Sequence, residues 1–214
     1  VTESKLKLVN LGLPKSGTTT LAHALEQAGW LCADHKVRRS IKQSGTLGGD
    51  HVGRVIYRGY FETGDPFHHL GFYDALTEIS VLRKDLTFWP QCDHAVIQAM
   101  RRTHPDLRFV VTYRPPDKLS DSMRRWNNLG SVRLPNGVIP GLPHGFGGTD
   151  AERVRWIEGH YAMLRDIFGN DRHFLELPMD APDARQRLAA HLGLDIPWWG
   201  RKNVNDTTPA EGLG

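Results

Sequence analysis

The sequence is poor in cysteine. Cys32 and Cys92 are the only two among 214 residues. Neither stands in a CxxC or in metal-ligand spacing. Two lone thiols exclude a disulfide framework and fit a reducing, cytoplasmic setting. Long apolar runs are also missing. No stretch approaches the roughly 18 residues that cross a bilayer, so no membrane span is expected. The run at residues 5–11 is too short and too charged for a signal-peptide core. An excess of one charge sign is absent too. Lys and Arg number 27 against 24 Asp and Glu, a net charge of +3. The two signs are dispersed along the chain. A nucleic-acid-binding module gathers its cations in a stripe beside exposed aromatics, so no nucleic-acid partner is expected. No internal repeat or low-complexity tract is visible. What remains is 39% hydrophobic and 24% charged, a globular composition. The length suits a single domain over 1–214.

Strand and helix signals alternate along the chain. Residues 5–11 read as a short strand that ends at Gly12. Leu21, Ala24, Leu25 and Ala28 recur at helical spacing, and Gly29 follows as a stop. Residues 30–33 read as a second strand. Residues 40–65 are polar and glycine-rich and read as loop plus a weak helix. Residues 92–103 read as a helix closed by His104-Pro105. The run Arg108–Tyr113 is apolar and bounded by turns, which suits a buried parallel strand. A helix with proline in its first turn covers 116–127. Residues 129–148 hold many Gly and Pro and no periodicity, the pattern of a long loop or lid. Thr149-x-x-Glu152 is a capping box that opens a long helix to about Phe168. A strand at 173–177 and a helix at 183–192 follow. This alternation predicts an α/β fold, three-layered, with a mostly parallel central sheet flanked by helices.

The most informative stretch is L-G-L-P-K-S-G-T-T-T, residues 11–20, between the first strand and the first helix. In that position backbone N–H groups and a helix N-terminus form a cradle for phosphate. Gly12 and Gly17 have the G-x4-G spacing of a P-loop. A nucleoside triphosphate site would next place Lys, then Ser or Thr. Here Thr18 follows Gly17, and the lysine sits inside the loop as Lys15. Ser16, Thr18, Thr19 and Thr20 add four hydroxyl donors. A lysine in the loop can reach a bridging oxygen at the point of group transfer.

Pro14-Lys15-Ser16-Gly17-Thr18-Thr19 resembles the 5′-phosphosulfate loop of the sulfotransferases that use 3′-phosphoadenosine 5′-phosphosulfate (PAPS). A tryptophan commonly follows the two threonines in the cytosolic branch. Thr20 stands there instead, which is more similar to bacterial or carbohydrate-type members. The resemblance implies a nucleotide-binding P-loop-like fold and sulfuryl transfer from PAPS, with adenosine 3′,5′-bisphosphate (PAP) as product and no metal. It also implies a 3′-phosphate site made of an Arg and a Ser eight residues later. Arg114 and Ser122 match that pattern, one at the end of the Arg108–Tyr113 run and one in the next helix. A guanidinium fork and a hydroxyl suit a phosphate. Arg201 and Lys202 are candidates for the basic residues of a late loop, with a solvated basic tail as the ordinary alternative.

Such an enzyme needs a group to take the proton of the acceptor. The family draws it from the segment before Arg114. Glu78 and Asp85 rank first, followed by Asp93, His35 and the pair His68-His69. Lys84 stands at about the position of a second active-site lysine, and Arg83 replaces the acid that the family places just before it. His68-His69 has no third ligand at useful spacing, so no metal site is expected. Acceptor specificity is assigned to residues 40–65 and 129–148, with Trp89, Trp126, Trp198 and Trp199 able to line a small-molecule or carbohydrate acceptor. The runner-up is a P-loop kinase or NTPase. Against it stand the absent Lys at position 18 and the absent acid at the end of the Arg108–Tyr113 run.

Overall fold

A computed structural model describes residues 4–83 and 85–200. Five strands form one sheet: β1 (Leu8–Asn10), β2 (Cys32–Ala33), β3 (Ala75–Leu76), β6 (Arg108–Tyr113) and β7 (Phe174–Pro178). Their order across the sheet is β2-β3-β1-β6-β7, and the pairings are parallel. A separate antiparallel hairpin joins β4 (Val81–Arg83) to β5 (Leu86–Phe88). Among the described residues six α-helices accompany them: α1 (Thr18–Gln27), α2 (Val52–Thr63), α3 (His94–Thr103), α4 (Pro116–Arg124), α5 (Asp150–Phe168) and α6 (Ala184–Leu192). The expected α/β class with a parallel sheet is the observed one.

Alternation along the strands builds the three layers. On one face Val9, Leu76, Phe109 and Val111 pack with residues of α2, α3, α4 and α5, among them Ile56, Ile97, Leu119 and Ile157. On the other face Leu8, Ala75, Val110 and Leu177 pack with Leu21 and Leu25 of α1 and Leu188 of α6. Successive residues of a strand point to opposite faces, so a strand buried on both sides is apolar throughout. The run RFVVTY, with Phe109–Thr112 wholly buried, meets that requirement.

Three sequence readings change. Residues 40–65 contain α2, a full helix whose Val52, Val55 and Ile56 are buried. Gly53 and Gly59 lower its intrinsic helix propensity. Both are nonetheless needed: a Cβ at Gly53 would stand 2.3 Å from the carbonyl oxygen of Ile79. Strand β3 and the β4–β5 hairpin were not expected. They are two or three residues long, too short for a period to show. Residues 129–148 do not form an open loop. They begin with a wide helical turn, Leu129–Arg133, and bury Leu134, Ile139 and Leu142. Buried Arg153 fastens both ends of the segment. It donates to the carbonyls of Gly130 (3.2 Å), Gly147 (3.0 Å) and Gly148 (2.8 Å).

The capping box at Thr149 and Glu152 forms as predicted. No helix among the described residues is long and apolar enough to cross a membrane.

Candidate phosphate and transfer site

The chain leaves β1 toward α1 and returns as β2 and β3 on one side of it, while β6 and β7 lie on the other. The strand order reverses between β1 and β6. In open parallel sheets ligands bind beyond the carboxyl ends of the strands at such a switch point. Residues 11–17 lie at the end of β1, Arg114 at the end of β6 and Glu78 just past β3, so all three segments meet there.

The loop is held from below by buried polar side chains. The Asn10 carboxamide oxygen accepts from the N–H groups of Gly12 (2.9 Å) and Thr112 (3.1 Å), and its amide donates to the Thr77 carbonyl (2.8 Å). Ser16 Oγ lies 2.6 Å from Thr112 Oγ1. The Ser16 hydroxyl is therefore engaged with β6 and braces the loop. Gly12 is required by this close approach, because a Cβ there would stand 2.0 Å from Thr112 Oγ1. Lys15 adopts a left-handed backbone, φ 73°, and Gly17 has φ 118°. A non-glycine residue in that region is uncommon, and such residues concentrate at ligand-binding loops. The turn lets α1 begin at Thr18 with no side-chain cap and no acid in its first turn. The positive end of its dipole therefore faces the loop, which favours an anion at this end. Thr18 and Thr20 are buried and Thr19 is exposed.

Cations gather around the loop. Arg114 Nη1 lies 3.5 Å from the Lys15 carbonyl oxygen. The Lys15 ammonium stands 5.0 Å from the ring centre of Trp126, and the Arg133 guanidinium carbon stands 5.0 Å from the same ring. Burial lowers the Lys15 pKa, and the charges of Arg114 and Arg125 lower it further. Like charges crowded in this way are relieved by a bound anion. Arg125 is partly balanced by Asp121 at 2.7 Å. Ser122 is buried on α4, two turns beyond Arg114.

Helix α5 clamps the two halves of the site together. His160 Nε2 lies 2.9 Å from the Leu11 carbonyl, where the loop begins. Tyr161 Oη accepts from the Arg114 N–H and donates to the Arg114 carbonyl, each at 3.3 Å. Neither residue carries a sequence motif. Their only signal is a polar pair on the apolar face of a long helix.

On the β3 side, Glu78 accepts from the N–H (3.1 Å) and hydroxyl (2.6 Å) of Ser80, and from the Thr18 hydroxyl. Burial raises its pKa above the ordinary carboxylate value, against those hydrogen bonds and the nearby His35. Glu78 thus touches the loop-to-helix junction. Asp85 does not share this placement; it is exposed in the β4–β5 turn. Asp93 is spent as the cap of α3, accepting from Ala95 and Val96, and also takes the Tyr57 hydroxyl at 3.0 Å. His69 bonds Glu62 at 2.8 Å. His35 pairs with Asp34, which raises its pKa, and its ring centre is 6.4 Å from that of His51. His51, which no motif marked, has a buried Nε2 with no partner.

Of the four tryptophans considered, Trp126 stands beside Lys15 and Trp89 contributes to the cleft described below. Trp89 is buried against Trp156, and Trp198 sets its ring edge against His23 of α1. Lys84, Arg201 and Lys202 lie outside the described residues. Residues 40–65 and 129–148 together line a cleft of about 760 Å³, with Tyr57, Phe61, Phe88 and Val138 among its walls. Neither the loop nor Arg114 contributes to that cleft. No protein-family model and no curated protein matches this sequence.

Proposed function

We propose that this protein is a sulfotransferase that moves a sulfuryl group from PAPS to a hydroxyl or amine acceptor. The observation that carries the reading is Lys15, held in a left-handed turn inside an anion cradle with Arg114 at its carbonyl and no lysine at position 18. The cradle suits a phosphate. Gly12 lets the loop lie close against β6, the positive end of the α1 dipole points into the loop, and Lys15, Arg114 and Arg125 stand close enough to act on one another's charge.

When bound, the donor supplies a sulfuryl group whose bond to a phosphate oxygen breaks as the acceptor atom bonds to sulfur. Lys15 then offers its ammonium to the charge that develops on the departing phosphate, the kind of preorganised charge that dominates group transfer. Arg114 and Ser122 hold the 3′-phosphate. Glu78 takes the acceptor proton. Its raised pKa brings it nearer the operating range of a general base, and its contact with Thr18 sets it at the loop. Asp85, exposed in its hairpin turn, is the weaker candidate.

The alternative, a P-loop kinase or NTPase, draws on the same contact between Glu78 and Thr18. A carboxylate beside a helix-start hydroxyl is how such enzymes hold Mg²⁺. Against it stand Thr18 in the place of the P-loop lysine and the absence of an acid at the end of β6.

The test uses PAPS labelled at sulfur and a panel of phenols, sugars and amines. Label is expected on an acceptor without added metal. Lys15→Ala should cost about 10²–10³ in kcat, the usual effect of removing a transition-state donor. Label transfer that survives Lys15→Ala, or phosphoryl transfer from ATP with Mg²⁺ in its place, would overturn the reading.

A further inference from the structure

Arg133 has two buried donors that the protein leaves unused. Its Nη1 donates to the Leu82 carbonyl at 3.2 Å, whereas Nε and Nη2 are shut off from water and have no partner. A buried, unsatisfied N–H of a charged group is costly. Burial and the neighbouring charge of Arg83 lower the Arg133 pKa, and no carboxylate acts on it to offset them.

The two unused atoms form the side edge of the guanidinium, with parallel N–H vectors. The same edge of Arg165 in this protein grips a carboxylate: Nε and Nη2 donate to the two oxygens of Glu176 at 2.8 and 2.7 Å. Arg133 presents that fork without the oxyanion.

Its position links the fork to the transfer site. Arg133 and Lys15 each stand 5.0 Å from the Trp126 ring centre, so they are separated by no more than those two distances together. That is the span of a small organic molecule. Arg83 lies beside Arg133, and its charge also acts on His51, which faces the His35 ring. The turn that carries Arg133 is at the surface, with Ser131 and Val132 exposed and Arg133 itself only half-buried.

We infer that Arg133, aided by Arg83, binds an oxyanion carried by the acceptor. The acceptor is therefore an anionic molecule, bearing a carboxylate or a sulfate ester beside the hydroxyl or amine to be modified. This inference rests on the proposed sulfuryl transfer for the word acceptor. The oxyanion site itself does not.

The experiment follows the Arg Nε–H resonances of ¹⁵N-labelled protein by NMR, first saturated with PAP and then titrated with inorganic sulfate. A resonance that is absent in Arg133→Lys should shift saturably. Sulfate affinity should fall about tenfold or more in Arg133→Lys, which keeps charge but loses the fork. It should fall severalfold in Arg83→Gln, an exposed position that cannot disturb the core. PAP affinity should be unchanged in Arg83→Gln. With PAPS present, carboxylated or sulfated acceptors should lose about tenfold more kcat/KM in Arg133→Lys than matched neutral acceptors do. No saturable shift, or wild-type sulfate affinity in Arg133→Lys, overturns the inference. Failure of PAP to bind would instead count against the proposed function, and the sulfate titration of the free protein would still decide the fork.

Discussion

His160 Nε2 lies 2.9 Å from the carbonyl oxygen of Leu11, the residue that opens the phosphate loop. The ring is buried, and burial lowers its pKa to about 4 against the hydrogen bond to Leu11. It is therefore neutral, with the proton on Nε2 and Nδ1 turned to the Cys92 thiol at 3.8 Å. An unfolded histidine titrates near ~6.5. As pH falls from there toward 4, the unfolded chain takes a proton that the folded one refuses, and stability is lost. His160→Asn removes that titration and keeps a donor for Leu11. The Tm of the wild type should fall more steeply than that of the variant over this range. Parallel melting curves would show that His160 does not couple the loop to pH.

Glu78 runs in the opposite direction. Its folded pKa is raised by burial. The folded state thus prefers the protonated carboxyl, and the preference is lost as pH rises through the folded pKa. Glu78→Gln mimics that protonated form. Its Tm should gain on the wild type as pH climbs from 4 to 7, and the gap should close at the acid end. If Glu78 is also the base, sulfuryl transfer rises with pH in the wild type and is nearly flat and low in the variant. A variant with the wild-type pH profile would assign the proton to another group.

The candidate site was legible to different depths. The loop was readable because a phosphate cradle demands small residues and hydroxyls in a contiguous run. Arg114 followed from the resemblance, which pairs it with Ser122 eight residues later. The contact of Ser16 with Thr112 spans 96 residues, and no local pattern reveals it. Arg133 and His51 were invisible for the same reason. Their meaning comes from missing partners, and a partner is a property of the fold. Strands β2 and β3, each two residues long, carry no period. Their pairing is set by the neighbours they lie between, and so tertiary context decided them.

Gly12 gives a direct test of the close approach. In Gly12→Ala the new methyl would meet Thr112 Oγ1 and Ser16 Oγ, at 2.0 and 2.8 Å. Overpacking of this kind costs about 1–3 kcal/mol. Denaturant unfolding should show the loss. Thr112→Ala in the same chain should recover part of it, since it removes the nearest obstructing atom. No recovery would place the strain elsewhere.

Arg153 holds residues 129–148 to α5 through three carbonyls. It also donates to Ser120 at 3.0 Å and pairs with Asp150. Hydrogen bonds from a charged group contribute about 1.5–3 kcal/mol each when broken singly. Arg153→Met should therefore destabilise by at least about 2 kcal/mol and raise amide exchange across 129–148. Unchanged exchange there would mean that the buried Leu134 and Leu142 hold the segment alone.

The central claim is that the loop and Arg114 form a site for a 3′,5′-bisphosphate nucleotide. Isothermal titration of the full chain with PAP, set against ADP plus Mg²⁺, tests it most directly. The account predicts tight, metal-independent binding of PAP, weakened about tenfold to a hundredfold in Arg114→Ala by loss of charged hydrogen bonds, and weak binding of ADP with or without the metal. Preference for ADP with Mg²⁺ would contradict it and assign the loop to phosphoryl transfer.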